Sequence, residues 1–264
     1  MNRSTRLVVT TALLVALTTV ACGTTDESTG VTDESTGATD ESTGATDEAA
    51  ASGLAASEAT AEASDTGASG DTSTFVIEIW ADNWAAVYVD GQLIGEDSVP
   101  ITTERSFNAE TFGFEAAYPF TIGIEAKDFK ETDSGIEYIG EPNQQMGDGG
   151  LIAQVTDTTT GDVVAVTNAD WSVLVVHRAP LDPSCADDTD PDASCEYEIS
   201  ETPTGWADAD FDHSGWNFAT EWSAAEVDPK DGYLEITWDA SAQLIWGQDL
   251  EVDNTVLARM TVTS

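Results

Sequence analysis

The sequence predicts an all-β protein, an antiparallel β-sandwich carried behind a long segment with no core-forming pattern. Three observations lead there. Short apolar runs alternate with period two, as in Phe75, Ile77 and Ile79, and again at Ala85, Val87 and Val89. Between Val89 and Gln92 stands Asp90-Gly91, the dipeptide that most readily takes positive φ at both central positions of a two-residue hairpin turn. Few segments place apolar residues at the helical spacing, and turn residues recur between the short runs instead.

In chain order, residues 1–22 have a positive start at Arg3 and Arg6, an apolar run from Leu7 to Leu17, and small residues before Cys22. That is the pattern of a secretory signal, and the run is short for a membrane span. Thr19-Val20-Ala21-Cys22 resembles a bacterial lipobox, in which the cysteine is lipidated through sulfur; a Leu is more usual where Thr19 stands. The expectation is an exported protein attached through lipid on Cys22, on either face of the cell envelope.

Residues 23–73 are expected to be a disordered acidic linker. TDESTGV at 25–31 is followed by TDESTGA at 32–38 and 39–45, and by a decaying TDEAAA at 46–51. Small, acidic and glycine residues with no apolar stripe cannot offset the entropy of ordering, and nothing apolar fills a coiled-coil seam. As a flexible coil, about 50 residues span about 40 Å r.m.s., enough to hold a domain away from a membrane.

The folded domain is expected over 74–264, about 190 residues, a size that suits one large sandwich. After the first hairpin, Phe120, Ile122, Ile124 and Ala126 alternate through a strand entered at Pro119. A long polar loop from Lys127 to Gly150 ends in QQMGDGG, and a loop of that length is often functional. Leu151–Val155 and Val163–Val166 flank a hairpin turn, and Asp170–Val176 adds a strand. Leu234, Ile236 and Trp238 share one face of a further expected strand, and Val256, Ala258, Met260 and Val262 alternate through the last. With Cys22 assigned to lipid, Cys185 and Cys195 remain as a pair in an oxidising compartment and are expected to form a disulfide.

Fifty acidic residues against eight basic ones argue against nucleic acid or an anionic lipid surface as partner. They favour calcium, magnesium or cationic partners, or a surface adapted to a salty habitat. Candidate calcium ligands are Asp188, Asp190 and Asp192 in the loop between the cysteines, and Asp208, Asp210 and Asp212. The second triplet is spaced like the start of an EF-hand loop. His213 stands where that loop needs glycine, however, and Ala219 where it closes with Glu.

The segments DNWAAVYVDGQLIG (82–95), YPFTIGIEAKD (118–128), GDGGLIAQV (147–155), NADWSV (168–173), GWADADFDHSGW (205–216) and AQLIWGQDLEVDNTVLARMTV (242–262) together resemble galactose-binding-like jelly-roll domains. These are β-sandwich modules often appended to glycoside hydrolases and other cell-surface proteins. The resemblance implies a jelly-roll sandwich that binds carbohydrate or another extracellular ligand through its loops. Asp82, Asn83 and Trp84, at a strand corner where such modules present loops, are the candidate ligand contacts. In 210–216, Phe211 and Trp216 are expected to plug the core while Asp212 and Ser214 bond the turn.

No GxSxG elbow, HExxH helix, phosphate-binding loop or dinucleotide fingerprint is present, so a non-catalytic protein is expected. The competing reading is an envelope adhesion module whose protein contacts are assisted by calcium.

Overall fold

The computed structural model describes residues 71–102 and 107–264. The expected signal peptide, the expected lipidation at Cys22 and the repeats of 25–51 lie outside them. In chain order the strands are β1 (Ser73–Asp82), β2 (Trp84–Val89), β3 (Gln92–Glu96), β4 (Ala109–Ala116), β5 (Phe120–Lys127), β6 (Ile136–Glu137), β7 (Gln145–Met146) and β8 (Gly150–Asp157). They continue with β9 (Val163–Val166), β10 (Ser172–Arg178), β11 (Glu198–Ile199), β12 (Asn217–Phe218), β13 (Thr220–Trp222), β14 (Leu244–Trp246) and β15 (Asp253–Val262). Helical structure among the described residues is confined to turns of four or five residues, and no helix there is long and apolar enough to cross a membrane.

Two antiparallel sheets carry the fold. One runs β13-β14-β8-β1-β4, with β9 also on β8; the other runs β11-β10-β15-β5-β2-β3, with β12 also on β10. The period-two pattern explains their packing. Phe75, Ile77 and Ile79 of β1 and Leu151, Ala153 and Val155 of β8 share one core with Val87 of β2, Ile122 and Ile124 of β5, and Val256 and Ala258 of β15. Phe75 closes one end of that core, with its ring centroid 4.9 Å from that of Phe120 and 5.3 Å from that of Phe114. The predicted hairpin turn is present, with φ of 46° at Asp90 and 81° at Gly91.

Both outer faces are partly covered by irregular chain. On the first sheet, Trp80, Ile152 and Leu244 pack against Val227, with Tyr233 and Trp238 alongside. On the second, residues 203–216 lay Trp206 and Ala207 over Val176 and Leu257, and Phe211 and Trp216 join them. These two aromatics therefore plug an outer cluster, not the space between the sheets. Gly123 of β5 accommodates the cover, since a Cβ there would meet Trp206 and Ala207 at 2.9 Å. Arg259 of β15 is buried and pins the same segment, donating from Nη1 to Trp206 O (2.7 Å) and from Nη2 to Asp208 O (3.0 Å).

The expected strand at 234–238 is not formed; Asp231–Glu235 is a 3₁₀ turn. Packing overrides the alternation. Gly232 lies so close to Phe107 and Asn108 that a Cβ would clash, Tyr233 packs edge-on to Trp80 at 5.6 Å, and the Trp238 indole donates to Tyr233 O at 2.9 Å. Leu234 is thereby left 84% exposed. The long 127–150 segment holds the short β6-β7 pair, and the expected Cys185–Cys195 disulfide packs against Ile136 beneath it.

Candidate functional site

The distinctive chemistry lies where β1, β5, β10 and β15 meet the 127–150 segment. At the β1-β2 corner the Asp82-Asn83 peptide is cis, and both side chains are buried. Asn83 joins this corner to the end of β5: its N–H donates to Lys127 O at 2.8 Å, and its Oδ1 accepts from the Phe129 N–H. Trp84 is half-buried, and the Lys127 ammonium lies over its ring, 4.6 Å from the centroid. The three candidate ligand contacts thus have different settings, and only Trp84 reaches the surface.

Asp82 belongs to a cluster of carboxylates. Asp82 and Asp128 are 1% and 2% exposed, Glu137 is also buried, and Asp148 lies at the rim. Asp128 Oδ2 accepts a 3.4 Å bond from Asn254 Nδ2, whereas Asp128 Oδ1 and Asp82 Oδ2 have no hydrogen-bond donor. Burial, then repulsion from Asp148 and Glu137, drives the Asp82 pKa well above the usual carboxylate range despite Lys230. Burial does the same to Asp128, reinforced by Glu137, Asp82 and Asp148 and opposed weakly by the Phe129 amide. At Asp148, burial outweighs the lowering effect of Lys230. The Lys230 Nζ stands 3.9 Å from Asp82 Oδ2 and 3.7 Å from Asp148 Oδ2. Burial alone would lower the pKa of that ammonium, but Asp82 and Asp148, with smaller help from Glu137 and Asp228, hold it above its ordinary value. Gly147 is required here because a Cβ would fall inside the Asp128 carboxyl group.

Next to the cluster is an open trough of about 400 Å³. Its lining includes Glu125 and Lys127 of β5, Val176 and His177 of β10, and Asn254 and Thr255 of β15, with Asp128 at the end shared with the acid cluster. Ile101 and Thr102 line it from one loop, and Ile199, Ser200 and Thr202 from another. A break in the β10–β15 register between Val175 and His177 shifts the alternation of β10, and Val176 and His177 both line the trough. Lys127 is paired with Glu125 at 3.0 Å. Tyr197, about half exposed, packs edge-on against His177, with centroids 6.2 Å apart.

His177 and Asn254 connect the trough to Asp128. His177 Nε2 is 3.1 Å from Asp133 O, an acceptor only, so Nε2 carries a proton. Burial lowers the His177 pKa, and Nδ1 lies 3.0 Å from Asn254 Oδ1, whose amide nitrogen donates to Asp128 Oδ2 at 3.4 Å.

The six aspartates read from sequence as calcium ligands lie elsewhere, and all are exposed. Asp188 has its carbonyl engaged by Gln144 Nε2 at 2.9 Å, Asp208 has its carbonyl engaged by Arg259, and Asp212 Oδ1 accepts from Ser214 N at 3.0 Å as a turn cap. Asp190 and Asp192 flank Pro191 at the start of a four-residue helical turn, and Asp210 is exposed between Asp208 and Asp212. Among the described residues, no three His, Cys, Asp or Glu side chains converge as a ready metal-ligand set. Asp128, Glu137, Asp148, His177 and Asn254 were not singled out by the sequence; the signal available was the long 127–150 loop with its GDGG end. Comparison with protein-family models, with curated proteins and with solved structures finds no match for this chain.

Proposed function

We propose that this is a non-catalytic, lipid-anchored protein of the cell envelope whose sandwich, a jelly roll of galactose-binding-like type, binds carbohydrate in the trough beside the β1-β2 corner. The observation that carries the reading is the composition of the trough. Carboxylate, ammonium, amide, imidazole and hydroxyl groups line one open concavity together with Ile101, Val176 and Ile199. Sugars present alternating hydroxyl donors and acceptors beside apolar ring faces, so they need both kinds of lining. Tyr197 offers an exposed aromatic edge nearby. The resemblance of segments across 82–262 to galactose-binding-like domains bears on the fold and is compatible with this reading.

The test is titration of the purified protein against a panel of soluble oligosaccharides, alongside a Glu125→Gln, Lys127→Met double variant. Binding of at least one glycan, weakened tenfold or more by the double substitution at unchanged unfolding temperature, is expected. No binding across the panel, or binding indifferent to the substitutions, overturns the reading.

A further inference from the structure

We propose that Asp82, Asp128 and Asp148 form a calcium site in which the Lys230 ammonium stands where the ion binds. The two buried aspartates carry the argument. Asp82 Oδ2 and Asp128 Oδ1 are both excluded from water, and neither receives a hydrogen bond. A buried carboxylate oxygen without a donor is costly unless a cation shares it. Lys230 serves only weakly, since its Nζ is beyond hydrogen-bond distance from both Asp82 and Asp148 and its charge is shared among Asp82, Asp148, Glu137 and Asp228.

The donor chemistry selects the ion. The cluster offers hard oxygen ligands and no thiolate, which suits calcium or magnesium over zinc or copper. Carboxylates coming from β1, from the end of β5 and from a glycine-rich loop suit the variable geometry of calcium better than the strict octahedron of magnesium. Access is available: the Asp148 and Lys230 side chains are 38% and 41% exposed, so the lysine can swing outward and Asp148 inward. That exchange is what brings a third carboxylate to the ion. Gly147 permits it by leaving room for the Asp128 carboxyl beneath the loop.

The experiment compares the unfolding temperature of the purified full chain in calcium chloride, magnesium chloride and chelator at matched ionic strength, with calorimetric titration of calcium. Calcium is expected to raise the unfolding temperature more than magnesium does. Asp148→Asn, at a partly exposed position, should keep the metal-free unfolding temperature while losing at least tenfold in calcium affinity. Lys230→Met should bind calcium more tightly than the natural chain, because the competing ammonium is gone. Three results overturn the proposal: no calcium shift in the natural chain; a shift that survives Asp148→Asn; or a shift abolished instead by Asn at Asp188, Asp190 and Asp192 or at Asp208, Asp210 and Asp212.

Discussion

Replacing Arg259 by Met is expected to loosen the cover on the second sheet without breaking the sheet itself. The methionine keeps most of the apolar stem inside the β15 strand and removes the guanidinium. Two charge-assisted bonds, to Trp206 O at 2.7 Å and Asp208 O at 3.0 Å, are lost, along with the stacking of the guanidinium over Phe211 at 5.5 Å. Bonds of this kind contribute about 1.5–3 kcal/mol each. Their sum is offset because the arginine is itself buried, with Nε unpartnered and its pKa pulled down by burial. The net loss is therefore about 3 kcal/mol, near the lower end for breaking a buried charged contact. For a domain of this size that lowers the unfolding temperature by roughly 6–12 °C. Urea unfolding followed by tryptophan fluorescence measures it, since Trp206 and Trp216 stack in the affected cover at 6.4 Å. A loss below about 1 kcal/mol, or an unchanged fluorescence maximum in the folded state, would refute the claim that Arg259 pins residues 203–216.

Three other outcomes follow from the same physics. Gly147→Ala places a methyl group inside the Asp128 carboxyl and should cost about 2 kcal/mol in urea unfolding; a neutral effect would mean the 145–149 loop is free to shift. Removing both Cys185 and Cys195 as serines opens a loop of sequence separation 10 and should cost about 3 kcal/mol, matched by reductant acting on the natural chain. The His177 pKa is lowered in the fold by burial, so its contribution is fully present above the unfolded value near pH 6.5 and is lost as pH falls through the folded value. The stability difference between the natural chain and His177→Gln should accordingly be flat above about pH 6.5 and shrink below it, and a difference that grows on acidification would contradict a neutral buried imidazole.

The sheets were largely legible in the sequence because their strands face a core on one side and alternate cleanly. β1, β2, β5 and β15 all show it, and Asp90-Gly91 marks its turn by local backbone chemistry alone. The 231–238 segment misled for the converse reason. Its alternating Leu234, Ile236 and Trp238 imitate a strand, while contacts with Trp80 and Phe107, remote in sequence, decide the conformation. The acid cluster was hidden by abundance. With fifty acidic residues, spacing along the chain picks out alternating triplets such as Asp208, Asp210 and Asp212, which prove to be exposed. Burial singles out Asp82 and Asp128, 46 residues apart, and only the pairing of β2 with β5 brings them to one corner. His177 reads as an ordinary strand residue until the register break in β10 is seen. Asp82 and Trp84 both stand at a strand corner. One belongs to the buried cluster, while the other lies under the lysine that lines the trough.

The claim that the trough is a sugar site is tested most directly by amide chemical-shift mapping of the ¹⁵N-labelled protein during titration with soluble oligosaccharides. Saturable shifts concentrated at Glu125, Lys127, His177, Ser200 and Thr255 are expected, with the Asp188–Asp192 loop silent. Shifts confined to any other surface, or none with any oligosaccharide, would contradict it.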